Sequence, residues 1–224
     1  MKKKLTINRL KNAAKLFCEQ ESTYNNKDLY GVTDGKAVGT YIEHKFQEYL
    51  SKNYTYEQGN AANGIDLPEK IINTDIKVTS IKQPQSSCPF KDASQKIFGL
   101  VYNLLVFVYE KTDNPNTSTA ILKFVSCSFL NKERTGDYTT TFRLRELIKD
   151  GANKEDIIAY LTDRNIPADE VTMELLADRI LNNIPEQGYL TISNALQWRL
   201  QYSRIVSLTD KIKGINKLAD NINS

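Results

Sequence analysis

Apolar residues recur along this chain at two spacings, and the balance between them shifts near residue 142. Leu5, Leu10, Ala13, Ala14, Leu16 and Phe17 make a rough helical stripe over residues 3–20. After the polar run Glu21 to Asp28, the positions Val38, Tyr41, Ile42, Phe46, Tyr49 and Leu50 repeat that spacing over 35–51, with Asp34 set to cap the helix and Glu43 at the stripe's edge. An Asn/Gly-rich loop, Gln58 to Asn63, leads into a strand, a turn at Pro68-Glu69-Lys70 and a longer β-branched strand. On that strand Asp75, Lys77 and Thr79 project to one face, Ile76 and Val78 to the other. Lys82 to Phe90 reads as a loop, and Asp92 or Ser94 could cap a short helix through Gln95, Ile97, Phe98 and Val101. Leu104 to Tyr109 is continuously apolar, as a central strand covered on both faces would be. A turn at Asp113 to Thr117 and a strand from Ala120 to Phe129 follow. Beyond Phe142 the pattern predicts helices over Arg143–Lys149, Lys154–Arg164, Ala168–Asn182 and Ser193–Lys213. The expected organisation is an N-terminal helical segment (1–30), an α/β core (31–135) and a helical region (136–224), packed with the core or apart from it.

Composition narrows the chemistry. With 224 residues, 40% hydrophobic and 25% charged, the chain has the balance of a folded protein of one domain or one core with an appendage. The basic start, Met1-Lys2-Lys3-Lys4, is followed by no apolar run, and Ile97 to Tyr109 is too short to span a bilayer, so a cytoplasmic protein with no membrane partner is expected. Cys18, Cys88 and Cys127 are scattered without metal-ligand spacing and read as buried free thiols. One histidine, His44, cannot build a His-rich zinc site or a histidine-dependent nuclease centre. Gly31 to Ala37 lacks the length and the Ser/Thr of a phosphate loop, which argues against a nucleotide cofactor.

The charged positions that remain are informative. Asp66, folded back by the turn, comes beside Asp75 and Lys77. Two carboxylates and an ammonium on one sheet face are costly unless a ligand organises them. A hard divalent cation with a phosphodiester does so: one or two carboxylates anchor Mg²⁺, and an ammonium steadies the charge that develops at phosphorus. Asp66, Asp75 and the backbone carbonyl of Ile76 are the expected metal ligands, and Lys77 the charge-stabilising group.

Gly64-Ile65-Asp66 followed by Asp75-Ile76-Lys77 resembles the PD-(D/E)xK nucleases, with Ile65 where that family often has proline. Gly39-Thr40-Tyr41-Ile42-Glu43 resembles the helix that brings a further acidic residue to the site in many members. The resemblance, over about Lys36 to Glu110, implies a restriction-endonuclease-like α/β (α+β) core: a central mixed sheet flanked by helices. It makes Glu43 a third acidic participant, binding metal directly or through water. Together with the small size and the absence of a motor motif, it implies a type II restriction endonuclease. Such an enzyme would be a homodimer that cuts double-stranded DNA at a short sequence with Mg²⁺, or Mn²⁺ in its place.

Candidate DNA contacts come from two acid-free intervals. The first holds Lys82, Gln83 and Gln85, with Gln95 on the helix beyond it. The second holds Asn194, Arg199, Gln201 and Arg204, while Trp198 and Tyr202 read as core. Two other functions fit the same residues: a structure-selective repair or junction nuclease of this fold, or a non-catalytic DNA-binding protein in which Asp66, Asp75 and Lys77 are incidental.

Overall fold

The computed structural model describes residues 2–59, 64–88, 92–193 and 199–220. The chain forms two compact units that interleave along the sequence. The first comprises residues 1–86, 102–130 and 209–224; the second comprises 87–101 and 131–208.

In the first unit, helix α1 (Ile7–Glu21) starts at Thr6, whose side chain accepts from the Arg9 N–H, and it buries Leu10, Ala13, Ala14, Phe17 and Cys18 along one face. The predicted start at residue 3 is late by one turn in the structure, because Lys3–Lys4 instead pairs as a short parallel strand with Tyr54–Thr55. Helix α2 (Gly35–Asn53) has the expected cap, Asp34 accepting from the Lys36 N–H at 2.9 Å, and buries Val38, Ile42, Phe46 and Leu50 at every fourth residue. Four strands form the central sheet: β1 (Thr74–Ser80), β2 (Asn103–Asn114), β3 (Thr119–Leu130) and β4 (Ile215–Asp220), in that order across it. β1 is parallel to β2 and lies at the edge, while the other pairings are antiparallel, so the sheet is mixed.

Helix α1 packs on β3 and β4, and α2 on β1. Phe17 of α1, Phe46 of α2, Phe107 of β2 and Phe124 of β3 meet with centroids 5.0–6.0 Å apart. Burying each such ring contributes about 2–3 kcal/mol. Tilted pairs of this kind add about 0.5–1.5 kcal/mol each. That cluster fixes α2 against the face of the sheet that carries Ile76, Leu105 and Phe107. β2 is the buried strand between β1 and β3, as its apolar run requires.

The second unit holds a short helix (Ser94–Phe98) and helices α3 (Tyr138–Lys149), α4 (Lys154–Asp163) and α5 (Glu170–Asn182). Asp137, Asn153 and Asp169 cap the three longer helices, and Leu144, Ile157, Leu161, Met173, Leu176 and Ile180 share their core. The helix expected over Ser193–Lys213 is a correction. Arg199–Gln201 is a strand antiparallel to Thr191–Ile192, and Ser203–Val206 is a single helical turn. Leu200 and Tyr202 are buried while Arg199 is exposed, an alternation of period two that the helical spacing of Leu200, Ile205 and Leu208 concealed. The chain then returns to the first unit as β4, a strand that sequence patterning did not predict.

All three cysteines are buried, as expected, and none is joined in a disulfide. Among the described residues no helix is long and apolar enough to cross a membrane.

Candidate active site

The site is assembled at the open edge of β1. Leu67 and Thr74 exchange backbone hydrogen bonds at 3.0 Å across the turn, which folds Asp66 back beside β1. The Ile76 N–H donates to Asp66 Oδ2 at 2.7 Å. In a parallel ladder the N–H and C=O of one residue point the same way, so the Ile76 carbonyl also faces this edge and away from β2. Gly59 approaches from the other side, its N–H donating to the Asp66 carbonyl at 2.8 Å. A Cβ on Gly59 would stand 1.9 Å from the Ile65 carbonyl oxygen, so only glycine permits this approach.

Glu43, Asp66, Asp75, Ile76 and Lys77 line one cleft of about 370 Å³, joined by His44, Gln47, Gly59, Gly64 and Ile65. Lys77 Nζ lies 2.6 Å from Asp75 Oδ2, and the Asp75 side chain is only 5% exposed. Despite that ion pair the Asp75 carboxyl is pushed up to about 7, first by burial and then by its hydrogen bond with Asp66. Burial and the Asp66 charge likewise raise Glu43, against the opposing pull of Lys77 and His44. Three carboxyl groups and one ammonium thus crowd this edge.

Such crowding suits a hard cation. Asp66 and Asp75 present oxygen donors beside the outward Ile76 carbonyl, the donor type that Mg²⁺ prefers. Among the described residues no group of three or more His, Cys, Asp or Glu side chains is arranged to hold a metal ion. Two carboxylates and a backbone oxygen offer the donors that a hard cation takes, and Glu43 lines the same cleft.

The sequence profile described as type II restriction enzyme NspV matches residues 4–217. The chain belongs to the NspV family of type II restriction enzymes. One relative, described as type II restriction enzyme NspV from Nostoc sp. (strain PCC 7524), is 53% identical over 211 residues, covering 94% of this chain and 95% of that protein. No solved structure matches the chain at a significant level. The match runs through both units of this NspV-family chain and includes the whole cleft.

The expected DNA contacts are dispersed. Lys82 and Gln83 are exposed on the turn that leaves β1, with Gln85 half-buried beyond it. The Thr79 hydroxyl braces that turn through the Gln83 and Gln85 carbonyls, both at 3.1 Å. Gln95 is 5% exposed in the second unit and does not line the cleft. Arg199 and Gln201 lie on a strand, not the expected helix. The Arg204 guanidinium covers the Tyr138 ring at 3.6 Å, and Tyr138 stacks on Phe142. Asn194 and Trp198 lie outside the described residues, whereas Tyr202 is core as expected. Sequence reasoning missed Gln47 and Gly59. Gln47 was findable, one turn beyond Glu43 on the same helix face.

Proposed function

We propose that the chain is a Mg²⁺-dependent type II restriction endonuclease that hydrolyses both strands of double-stranded DNA at a short specific sequence, acting as a homodimer in the prokaryotic cytoplasm. The observation that carries this reading is the union of Asp66, Asp75, the Ile76 backbone and Lys77 within one cleft, at the edge of a mixed sheet flanked by helices. A fold of the restriction-endonuclease type is part of the proposal, supported by the parallel β1–β2 pair and by α2 bringing Glu43 to the same edge.

Asp66, Asp75 and the Ile76 carbonyl would hold Mg²⁺, or Mn²⁺ in its place, with Glu43 binding the ion directly or through water. The bound ion would polarise the scissile phosphate and lower the pKa of a water molecule. Asp66, anchored to the strand by the Ile76 N–H, keeps a carboxylate in fixed orientation at the cleft. Lys77, protonated beside Asp75, steadies the negative charge that develops on the phosphate oxygens. Lys82, Gln83, Gln85, Gln95, Asn194, Arg199, Gln201 and Arg204 remain the proposed sources of phosphate and base contacts.

The test is incubation of the purified protein with a long DNA of known sequence, with and without Mg²⁺. Discrete fragments that require the metal are the expected result. Nicking confined to branched DNA, or no cleavage across varied sequences, would replace this reading with one of its rivals.

A further inference from the structure

Gln47 stands one helical turn beyond Glu43 on α2, so the two side chains project from the same face. Its Nε2 donates to Glu43 Oε1 and to Asp66 Oδ1, both at 3.4 Å. Exchanging the amide's oxygen and nitrogen would set a carbonyl oxygen against two carboxylate oxygens, so the partners themselves fix the donor assignment. Asp66 is thereby held by both of its oxygens, Oδ2 by the β1 backbone and Oδ1 by α2. The helix is tied to the same segment a second time: Tyr56 donates its hydroxyl to the Gln47 carbonyl at 3.1 Å, three residues before the Gly59 N–H reaches the Asp66 carbonyl.

An amide has the right chemistry for this position. A lysine here would neutralise the carboxylates and compete with an incoming cation. An apolar side chain would leave Glu43 and Asp66 facing one another without a donor between them. A neutral donor orients both groups and leaves their charge available.

We propose that Gln47 is a positioning residue that sets Asp66 and Glu43 for a divalent cation. This rests on the metal-dependent nuclease reading above. Groups that orient a metal's ligands change affinity or activity by about 10–100-fold when removed. Gln47→Met keeps the side-chain length and removes the donor, with Gln47→Ala as a second variant, and each is checked by thermal unfolding. Mn²⁺ alone is titrated into the full chain without DNA, and cleavage is then followed against Mg²⁺ concentration. The expected result is Mn²⁺ binding weakened about 10-fold, with the Mg²⁺ midpoint for cleavage raised by a similar factor. The maximal rate at saturating Mg²⁺ should largely recover, which a merely structural lesion would not allow. Folded variants whose Mn²⁺ affinity and Mg²⁺ midpoint both stay within about twofold of wild type would overturn the role. If the wild type cuts no DNA yet Gln47→Met still weakens Mn²⁺ binding, the nuclease reading fails and the positioning role stands.

Discussion

Helix α2 serves two polar neighbourhoods whose lysines are buried to similar degrees, and they are built in opposite ways. On one side Lys45 donates to Glu21 at 2.9 Å, to Asn26 at 3.3 Å and to the Tyr41 hydroxyl at 3.4 Å, with the Tyr24 ring 3.7 Å away. One ammonium meets one carboxylate, and every other partner is neutral. Burial pulls the Lys45 amine down, but the hydrogen bond and charge of Glu21 outweigh it and raise it overall. At the cleft, Lys77 meets Asp75 at 2.6 Å with Asp66 and Glu43 lining the same cleft, and burial, followed by the hydrogen bond with Asp66, drives Asp75 up to about 7. A balanced cluster fastens two helices together. An unbalanced one stores a demand for positive charge, and the sheet edge leaves room for a ligand to meet it.

The largest expected effect separates the two clusters by function. Asp75→Ala and Lys77→Ala should each lower DNA cleavage by about 10³-fold or more while circular dichroism stays native. A Lys77→Ala protein that cuts at the wild-type rate would remove Lys77 from the site. Gly59→Ala should come next, at about 10²-fold, because the added methyl displaces the Ile65–Asp66 backbone by enough to misplace a ligand.

The sharpest contrast is one of sign. Asp75→Asn should stabilise the metal-free protein at pH 8 by about 1–3 kcal/mol, measured by urea unfolding. The folded state holds the Asp75 proton more tightly than the unfolded chain, whose ordinary value is 3.8. Wild-type stability should therefore fall as pH rises from about 4 through about 7, and the advantage of Asp75→Asn should open across that window. Added Mg²⁺ should raise the unfolding temperature of wild type at pH 8 and leave Asp75→Asn nearly unchanged. Glu21→Gln should do the reverse at the structural cluster, destabilising by about 1–2 kcal/mol with cleavage retained. Equal signs for the two substitutions would break the comparison.

Much of this was legible wherever the information was local. Asp34, the four-residue spacing from Val38 to Leu50 and the alternation through Asp75, Ile76 and Lys77 specify α2 and β1 from neighbours alone. The turn at Pro68 was readable too, and with it the return of Asp66. What escaped depends on distant partners. The backbone of Arg199–Gln201 pairs with Thr191–Ile192, and Ile215–Asp220 with a strand that ended at Leu130. Neither segment is apolar enough to announce a strand unaided. Gly59 was invisible for a related reason, since only the crossing of two loop backbones reveals why it lacks a side chain.

The late strand β4 also sets a timetable. Its partner β3 ends at Leu130, and β4 begins at Ile215, 85 positions later in the chain. A ribosome adding about 5–20 residues per second needs about 4–17 s to cover that interval. Through those seconds the nascent protein has an unfinished sheet, with the β3 backbone that awaits Ile215–Asp220 still unpaired. The sheet that frames the cleft is then completed only once Ile215–Asp220 has been made, a useful delay for a protein whose proposed target is the cell's own kind of molecule.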